Sequence, residues 1–231
     1  MRDTFLIGII LWFFLFAGMA YPDEQAELKG RKERLSYSFG FFFGSNLKRD
    51  AIDIDVDILL KGIKDSLSGN KTLMTEQEMR ETFTAFQKEM QAKQADRRKA
   101  AGEKNKKEGE VFLEQNKKKE GVKTLPSGLQ YRVITEGTGK TPAENGTVTV
   151  HYRGTLLDGT EFDSSYRRGE PATFPVKGVI PGWSEALQLM KEGAKWQLFI
   201  PSQLAYGERG AGDTIGPNAV LIFDVELISV K

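Results

Sequence analysis

Near residue 123 the chain changes its period, and this constrains the fold more than any other feature. Before that point apolar residues recur every three or four positions, the spacing of one helix face. After it they alternate, the spacing of a half-buried strand. The two periods belong to different backbones, so the chain reads as a helical part followed by a β-rich part, an α+β protein. Composition changes at the same place. Residues 21–123 are charged and poor in strand signals, whereas 124–231 are rich in Gly, Val, Thr and aromatic residues.

The helical part predicts three helices. Leu35, Phe39, Phe42, Phe43 and Leu47 share the face of the first. Leu59, Leu60, Ile63 and Leu67 line the second, which starts at one of Asp53, Asp55 or Asp57 as N-cap and ends near Gly69-Asn70. The third opens on Thr75-Glu76-Gln77-Glu78, a capping box, with Met74 and Met79 at the staple positions. Its stripe is Met79, Phe83, Phe86 and Met90. From Gln91 to Glu110 large apolar side chains almost vanish, and Gly102 and Gly109 weaken the helix. Polar on all sides, this stretch is expected to be an exposed stalk. An apolar patch, Val111 to Leu113, precedes the basic run Lys117 to Lys119, read as a solvated face.

Short helices bury little by themselves. Phe39, Phe41, Phe42 and Phe43 cannot all face one small monomeric core. A second copy of the chain would cover them, so Leu35, Phe39, Phe42 and Phe43 are the expected dimerisation residues.

In the β-rich part, strands are expected over Leu129–Ile134, Thr147–Gly154, Trp196–Ile200 and Val220–Val230. Val148, Val150 and Tyr152 fall on one face and Thr147, Thr149 and His151 on the other. Asp158-Gly159 is a hairpin turn, and Glu161-Phe162-Asp163 begins the returning strand. Leu221, Phe223, Val225 and Leu227 share a face in the last strand. The loop Val179-Ile180-Pro181-Gly182-Trp183 leads into a short helix, Ser184–Met190. A tryptophan beside Pro-Gly either plugs a core or floors a pocket.

Several chemistries are excluded. Lys and Arg number 33 against 32 Asp and Glu, a net charge of +1, so no global field draws the chain to nucleic acid. Cysteine is absent, which removes disulfides and thiolate chemistry, and a single histidine removes a His-rich metal site. That histidine, His151, has no G-x-S-x-G elbow to serve and reads as a structural strand residue. No phosphate- or dinucleotide-binding glycine pattern is present. What remains is a set of aromatics at strand ends and loops: Tyr152, Phe162, Phe174, Trp183, Tyr206 and Phe223.

The N-terminus has the form of a cleaved secretory signal over residues 1–20. Arg2 is followed by the apolar run Phe5 to Phe16 and by Gly18-Met19-Ala20. The alternative is an uncleaved anchor, but the run is short for a span. The mature chain is then expected to work outside the cytoplasm.

Residues 124–231 resemble an FK506-binding-protein (FKBP) domain, a class of peptidyl-prolyl cis–trans isomerase. The motifs are VHYRGTLLDGTEFDSS (150–165), FPVKGVIPGW (174–183), LAYGERG (204–210) and IGPNAVLIFDVELISV (215–230). Residues 35–123 resemble the helical dimerisation region of macrophage-infectivity-potentiator-like FKBPs of Gram-negative bacteria, through SYSFGFFFGSNL, DVDILLKGIKDSLSG and EGVKTLPSGLQYRV. The implied organisation is a signal (1–20), a helical dimerisation region (21–74), a long connecting helix (75–123) and an isomerase domain (124–231). The domain would be an antiparallel sheet wrapped on a short helix.

The resemblance implies that Trp183 floors a pocket for a prolyl ring. Tyr152, Phe162, Asp163, Tyr206 and Phe223 would be its catalytic residues, and Phe174, Val179, Ile180, Trp183 and Ile215 would bind the substrate. Tyr206 would offer its hydroxyl to a substrate carbonyl, the Ile180 amide would bind a second, and Asp163 would be a polar anchor at the rim. No cofactor or metal is expected. The implied partners are proline-containing or unfolded exported polypeptides, macrolides of the FK506 and rapamycin type, and a second copy of the chain. Two departures stand out: Gly178 replaces a longer polar side chain, and the Glu208–Pro217 loop lacks bulky apolar residues apart from Ile215. Three roles compete: an isomerase with a chaperone-like arm, a proline-segment-binding chaperone, and a surface interaction factor.

Overall fold

The computed structural model describes residues 28–231. The proposed signal segment therefore lies outside the described residues. The chain forms two compact units that part between Met74 and Thr75.

The first unit holds α1 (Arg31–Arg49) and α2 (Val56–Ser68). Asp55 is the N-cap of α2, its carboxylate accepting from the amides of Asp57 (2.9 Å) and Ile58 (3.0 Å). Gly69 closes the helix in the left-handed region. Within this unit no described apolar residue is buried. Leu35, Phe39, Phe42 and Phe43 all lie exposed on α1, Phe39 at 69%.

The second unit begins with α3 (Glu76–Asn116), a helix of 41 residues. Its capping box forms as the sequence predicts: the Thr75 amide donates to Glu78 Oε2 at 2.7 Å, and the Glu78 amide donates to Thr75 Oγ1 at 3.2 Å. The expected exposed stalk is corrected over its second half. Gly102, Gly109 and Asn116 are buried, each about two helical turns from the next. A Cβ on Gly109 would lie 2.7 Å from Val220 Cγ2, and one on Gly102 3.1 Å from Pro217 Cβ. The glycines that weaken the helix by propensity are the face it packs with. Phe112 stacks obliquely on Phe199 at 5.9 Å. The seam ends where Asn116 Nδ2 donates to Gln130 Oε1 (3.0 Å) and Gln130 Nε2 donates to the Leu113 carbonyl (2.9 Å).

After α3 come β1 (Val122–Thr124), β2 (Gln130–Thr135), β3 (Thr147–Thr155), β4 (Glu161–Ser164), α4 (Ser165–Arg168), β5 (Ala172–Pro175), α5 (Pro181–Leu187), β6 (Lys195–Ile200) and β7 (Leu221–Val230). The strands form one antiparallel sheet in the order β1-β2-β6-β7-β3-β4, with β5 also paired to β3. Burial alternates along β3 and along most of β7, in the phase the sequence predicts. The short edge strands β1 and β5 escape the sequence reading, and β5 ends on Pro175, which suits an edge.

The helix after the VIPGW loop starts three residues before the expected Ser184. Pro181 occupies its first turn, where a missing N–H is no loss. Gly182 lets that turn press on β6: a Cβ there would be 2.6 Å from Ile200 Cγ2. Trp183, Ala186, Leu187 and Met190 join Val148, Val150, Leu198, Val225 and Leu227 in one buried core. Trp183 sits at a turn because that turn is the start of a core helix.

Candidate active site

The β3 edge is shared. β5 pairs with its first half, Val148 opposite Phe174, and β4 pairs with its second, Gly154 opposite Asp163. Between them in sequence lies α4, and α5 packs into the core with the sheet. This leaves a cavity of about 740 Å³ lined by Tyr152, Phe162, Asp163, Phe174, Gly178, Val179, Ile180, Trp183, Tyr206, Ile215 and Phe223, with Ala205 and Ala211–Thr214 completing it. All ten residues singled out from the sequence meet there. Leu35, Phe39, Phe42 and Phe43 belong to the other unit. His151 takes no part: its Nδ1 lies 3.0 Å from Ser165 Oγ and its ring stacks on Tyr166 at 4.6 Å.

The floor is built from perpendicular rings. Trp183 meets Tyr152 at 5.2 Å and 89°, Phe223 at 5.1 Å and 83°, and Phe174 at 6.1 Å and 89°. Phe162 meets Phe223 at 5.4 Å and 85°. Edge-to-face geometry is the favourable one for rings, and each contact fixes the orientation of its neighbour. Gly154 makes room for the set, since a Cβ there would lie 2.6 Å from Phe223 Cε1 and 2.7 Å from Phe162 Cε2.

One side of the cavity is polar. The Tyr152 hydroxyl donates to Asp163 Oδ2 at 2.5 Å. Arg168 donates from Nη1 to Asp163 Oδ1 at 2.5 Å and from Nη2 to the Tyr152 oxygen at 2.7 Å. Its guanidinium also lies 5.4 Å from the Tyr152 ring centre. Arg168 is the member that the sequence reading missed. It sits on α4, which Ser164 caps and left-handed Gly169 ends. That Gly169 stop was its only local signal. Tyr206, 40% exposed, stands at the rim.

These contacts set protonation. Burial raises the Asp163 pKa, but the hydrogen bonds from Tyr152 and Arg168 and the Arg168 charge outweigh it, so the carboxyl is held below its ordinary value. Burial, and next the bond to Asp163, push the Tyr152 hydroxyl up. The stabilisation from ionised Asp163 is complete above its unfolded value and is lost as pH falls through the lower folded one. That from neutral Tyr152 is complete below its unfolded value and is lost as pH rises through the higher folded one. The trio therefore keeps one protonation state from about pH 5 to about pH 9. Titration of the trio will leave the melting temperature flat across that range. An acidic limb with its midpoint above pH 5 that disappears in Asp163→Asn would contradict this.

An aromatic cavity with a polar side and no nucleophile–base pair suits reversible binding of an apolar ring. Two family models match the chain. A model described as "FKBP-type peptidyl-prolyl cis-trans isomerase" matches residues 138–228, and one described as "Domain amino terminal to FKBP-type peptidyl-prolyl isomerase" matches residues 32–133.

The chain belongs to the FKBP family.

Curated relatives include "Outer membrane protein MIP" of Legionella longbeachae, 47% identical over 100% of this chain and 99% of that protein. "Peptidyl-prolyl cis-trans isomerase Mip" of Coxiella burnetii is 50% identical over 88% of this chain and 89% of its own length. The crystal structure of FkpA from Escherichia coli superposes with a TM-score of 0.70 at 38% identity, covering 88% of this chain and 98% of that one. This FKBP is a peptidyl-prolyl cis–trans isomerase, or rotamase, with a helical N-terminal region and an antiparallel FKBP sheet.

Proposed function

We propose that the 740 Å³ cavity is where this isomerase acts, and that its clients are exported polypeptides. The observation that carries the reading is the convergence of Trp183, Tyr152, Phe162, Phe174 and Phe223 on one cavity beside the Tyr152–Asp163–Arg168 trio. The prolyl ring lies on Trp183, between Val179, Ile180 and Ile215. Tyr206 donates to one substrate carbonyl and the Ile180 amide to another.

The barrier to X-Pro rotation is about 18–20 kcal/mol and comes from amide resonance, which places partial negative charge on the carbonyl oxygen. Twisting the C–N bond removes that charge separation. An apolar site disfavours the planar, charge-separated amide relative to the twisted one, so it binds the transition state better than the ground state. Holding the ring while the preceding carbonyl swings is sufficient, and no covalent step is needed. The trio keeps the rim aromatics in place and offers no charge to the reacting amide, because Arg168 neutralises Asp163.

Two features support a role beyond turnover. The exposed row Leu35, Phe39, Phe42 and Phe43 fits a homodimer whose helices also hold unfolded clients. A relative named as an outer membrane protein, together with the signal-like residues 1–20, supports the periplasm or outer membrane as the location. No helix among the described residues is long and apolar enough to cross a membrane.

One preparation tests the reading. Residues 21–231 are assayed for prolyl isomerisation in a protease-free format, with and without FK506, and weighed by light scattering. Acceleration that FK506 abolishes, from a species of twice the chain mass, is the expected result. A folded chain that binds FK506 without accelerating isomerisation would leave a proline-binding chaperone. A monomer mass would sink the dimer.

A further inference from the structure

The segment from Pro201 to Val220 supplies the outer wall of the cavity, through Tyr206, Ala211, Thr214 and Ile215. It has little regular structure of its own. Its short 3-10 turns, Ser202–Leu204 and Gly207–Arg209, are followed by a single bridge, in which Ala211 and Ile215 exchange backbone bonds of 2.8 and 3.1 Å. Gly207, Gly210, Gly212 and Asn218 all take positive φ. A wall of this kind needs support from outside if it is to present one shape to a substrate.

Helix α3 supplies it at both ends. Where the wall begins, the Arg98 guanidinium donates to the Arg209 carbonyl. Where it ends, Asn105 Nδ2 donates to the Pro217 carbonyl at 2.8 Å, and Asn218 Nδ2 donates to the Gly102 carbonyl at 3.3 Å. Gly102 lets the Pro217 ring approach the helix, and Gly109 lets Val220 do so. Thr214 borders the catalytic cavity on one side. On the other it borders a cleft of about 250 Å³, walled on its far side by Lys104, Asn105 and Glu108 of α3.

We infer that Arg98 and Asn105 are positioning residues of the isomerase. They hold the Arg209–Pro217 wall at the distance that sets which side chains are accepted before the proline. The inference rests on the cavity being the proline site. Tyr206, Ala211, Thr214 and Ile215 of the wall line the same cavity as Trp183, so the wall borders whatever flanks a ring seated there. Neither Arg98 nor Asn105 lines the cavity, so their effect passes through the loop.

The test uses the full mature chain with Arg98→Ala, Asn105→Ala, the double variant, and Arg98→Lys, which can still donate to a carbonyl. Three readouts are taken: melting temperature, amide exchange at 211–215, and kcat and KM on peptides that differ only in the residue before proline. Loss of one or both anchors is expected to speed exchange at 211–215 and to lower kcat/KM about three- to ten-fold, mainly through KM. The ratio between bulky and small preceding residues should narrow, melting should barely move, and Arg98→Lys should restore the parent ratio. Unchanged ratios in the double variant overturn the inference, whether or not exchange rises. If Asp163→Leu also turns over like the parent, the cavity reading itself has failed and the inference falls with it. The Asp163→Leu result tells the two failures apart: a loss of turnover there, with unchanged ratios in the double variant, leaves the cavity reading standing and sinks only the inference.

Discussion

Asp163→Leu will lower kcat/KM about ten- to a hundred-fold while the protein stays folded. The leucine keeps the approximate shape and removes the acceptor. Tyr152 then has a hydroxyl proton with nowhere to go, and Arg168 loses the carboxylate that neutralises it. Leaving one buried donor unpaired costs about 1–3 kcal/mol, and the half-buried setting of this trio puts the loss in that range. The penalty falls on the site because Tyr152 touches Trp183 edge-on and shares the cavity with Phe162 and Phe223. A reoriented Tyr152 disturbs the aromatic floor proposed to seat the prolyl ring. Asp163→Asn should lose less, since its amide oxygen still accepts. Steady-state kinetics with a parallel melting curve checks both variants, and equal losses in the two would mean that the carboxylate's charge is what counts.

Gly210→Ala will damage the molecule for a different reason. Gly210 has φ 62° and ψ −168°, a region that essentially only glycine occupies. A Cβ there would fall on the Ile215 carbonyl oxygen and lie 2.9 Å from the Gly216 carbonyl carbon. That oxygen accepts the Ala211 amide in the one bridge that closes the wall. The loop must therefore open. Strain and the lost bond together should cost about 3 kcal/mol, or roughly 6–12 °C in Tm for a domain of this size. Isomerisation should fall at least ten-fold, because Ile215 leaves the cavity with the loop. Calorimetry and the protease-free assay on one sample decide it. A stable, fully active Gly210→Ala would show that the loop has another closed form.

The opposite fates of Gly210 and Gly159 show why glycines are hard to read in sequence. Both have positive φ, but a Cβ on Gly159 would meet nothing within 4 Å. Only the fold distinguishes a turn that merely prefers glycine from one that excludes everything else.

Where periodicity is local, the reading from sequence was direct. Val148, Val150 and Tyr152 alternate because β3 is half-buried, and Thr75 with Glu78 caps α3 because both partners lie within one helical turn. Six of the ten cavity residues stood out as aromatics at strand ends and loops, but only the resemblance joined the ten into one site, because their separations along the chain carry no periodic signal. What neighbours in sequence cannot encode, the sequence did not reveal. The packing face of α3 is made of Gly102 and Gly109, so it shows no apolar stripe. Pro181 reads as a break until its place in the first turn of α5 is seen. Arg168 follows another arginine and belongs to no motif; the short α4 turn carries it to Tyr152. By itself the sequence determined the two kinds of backbone, the strand faces and the family. The tertiary structure decided which glycines admit a neighbour, which cation completes the site and which helix braces its wall. Those depend on close approach between distant segments, where a few tenths of an ångström separate contact from clash.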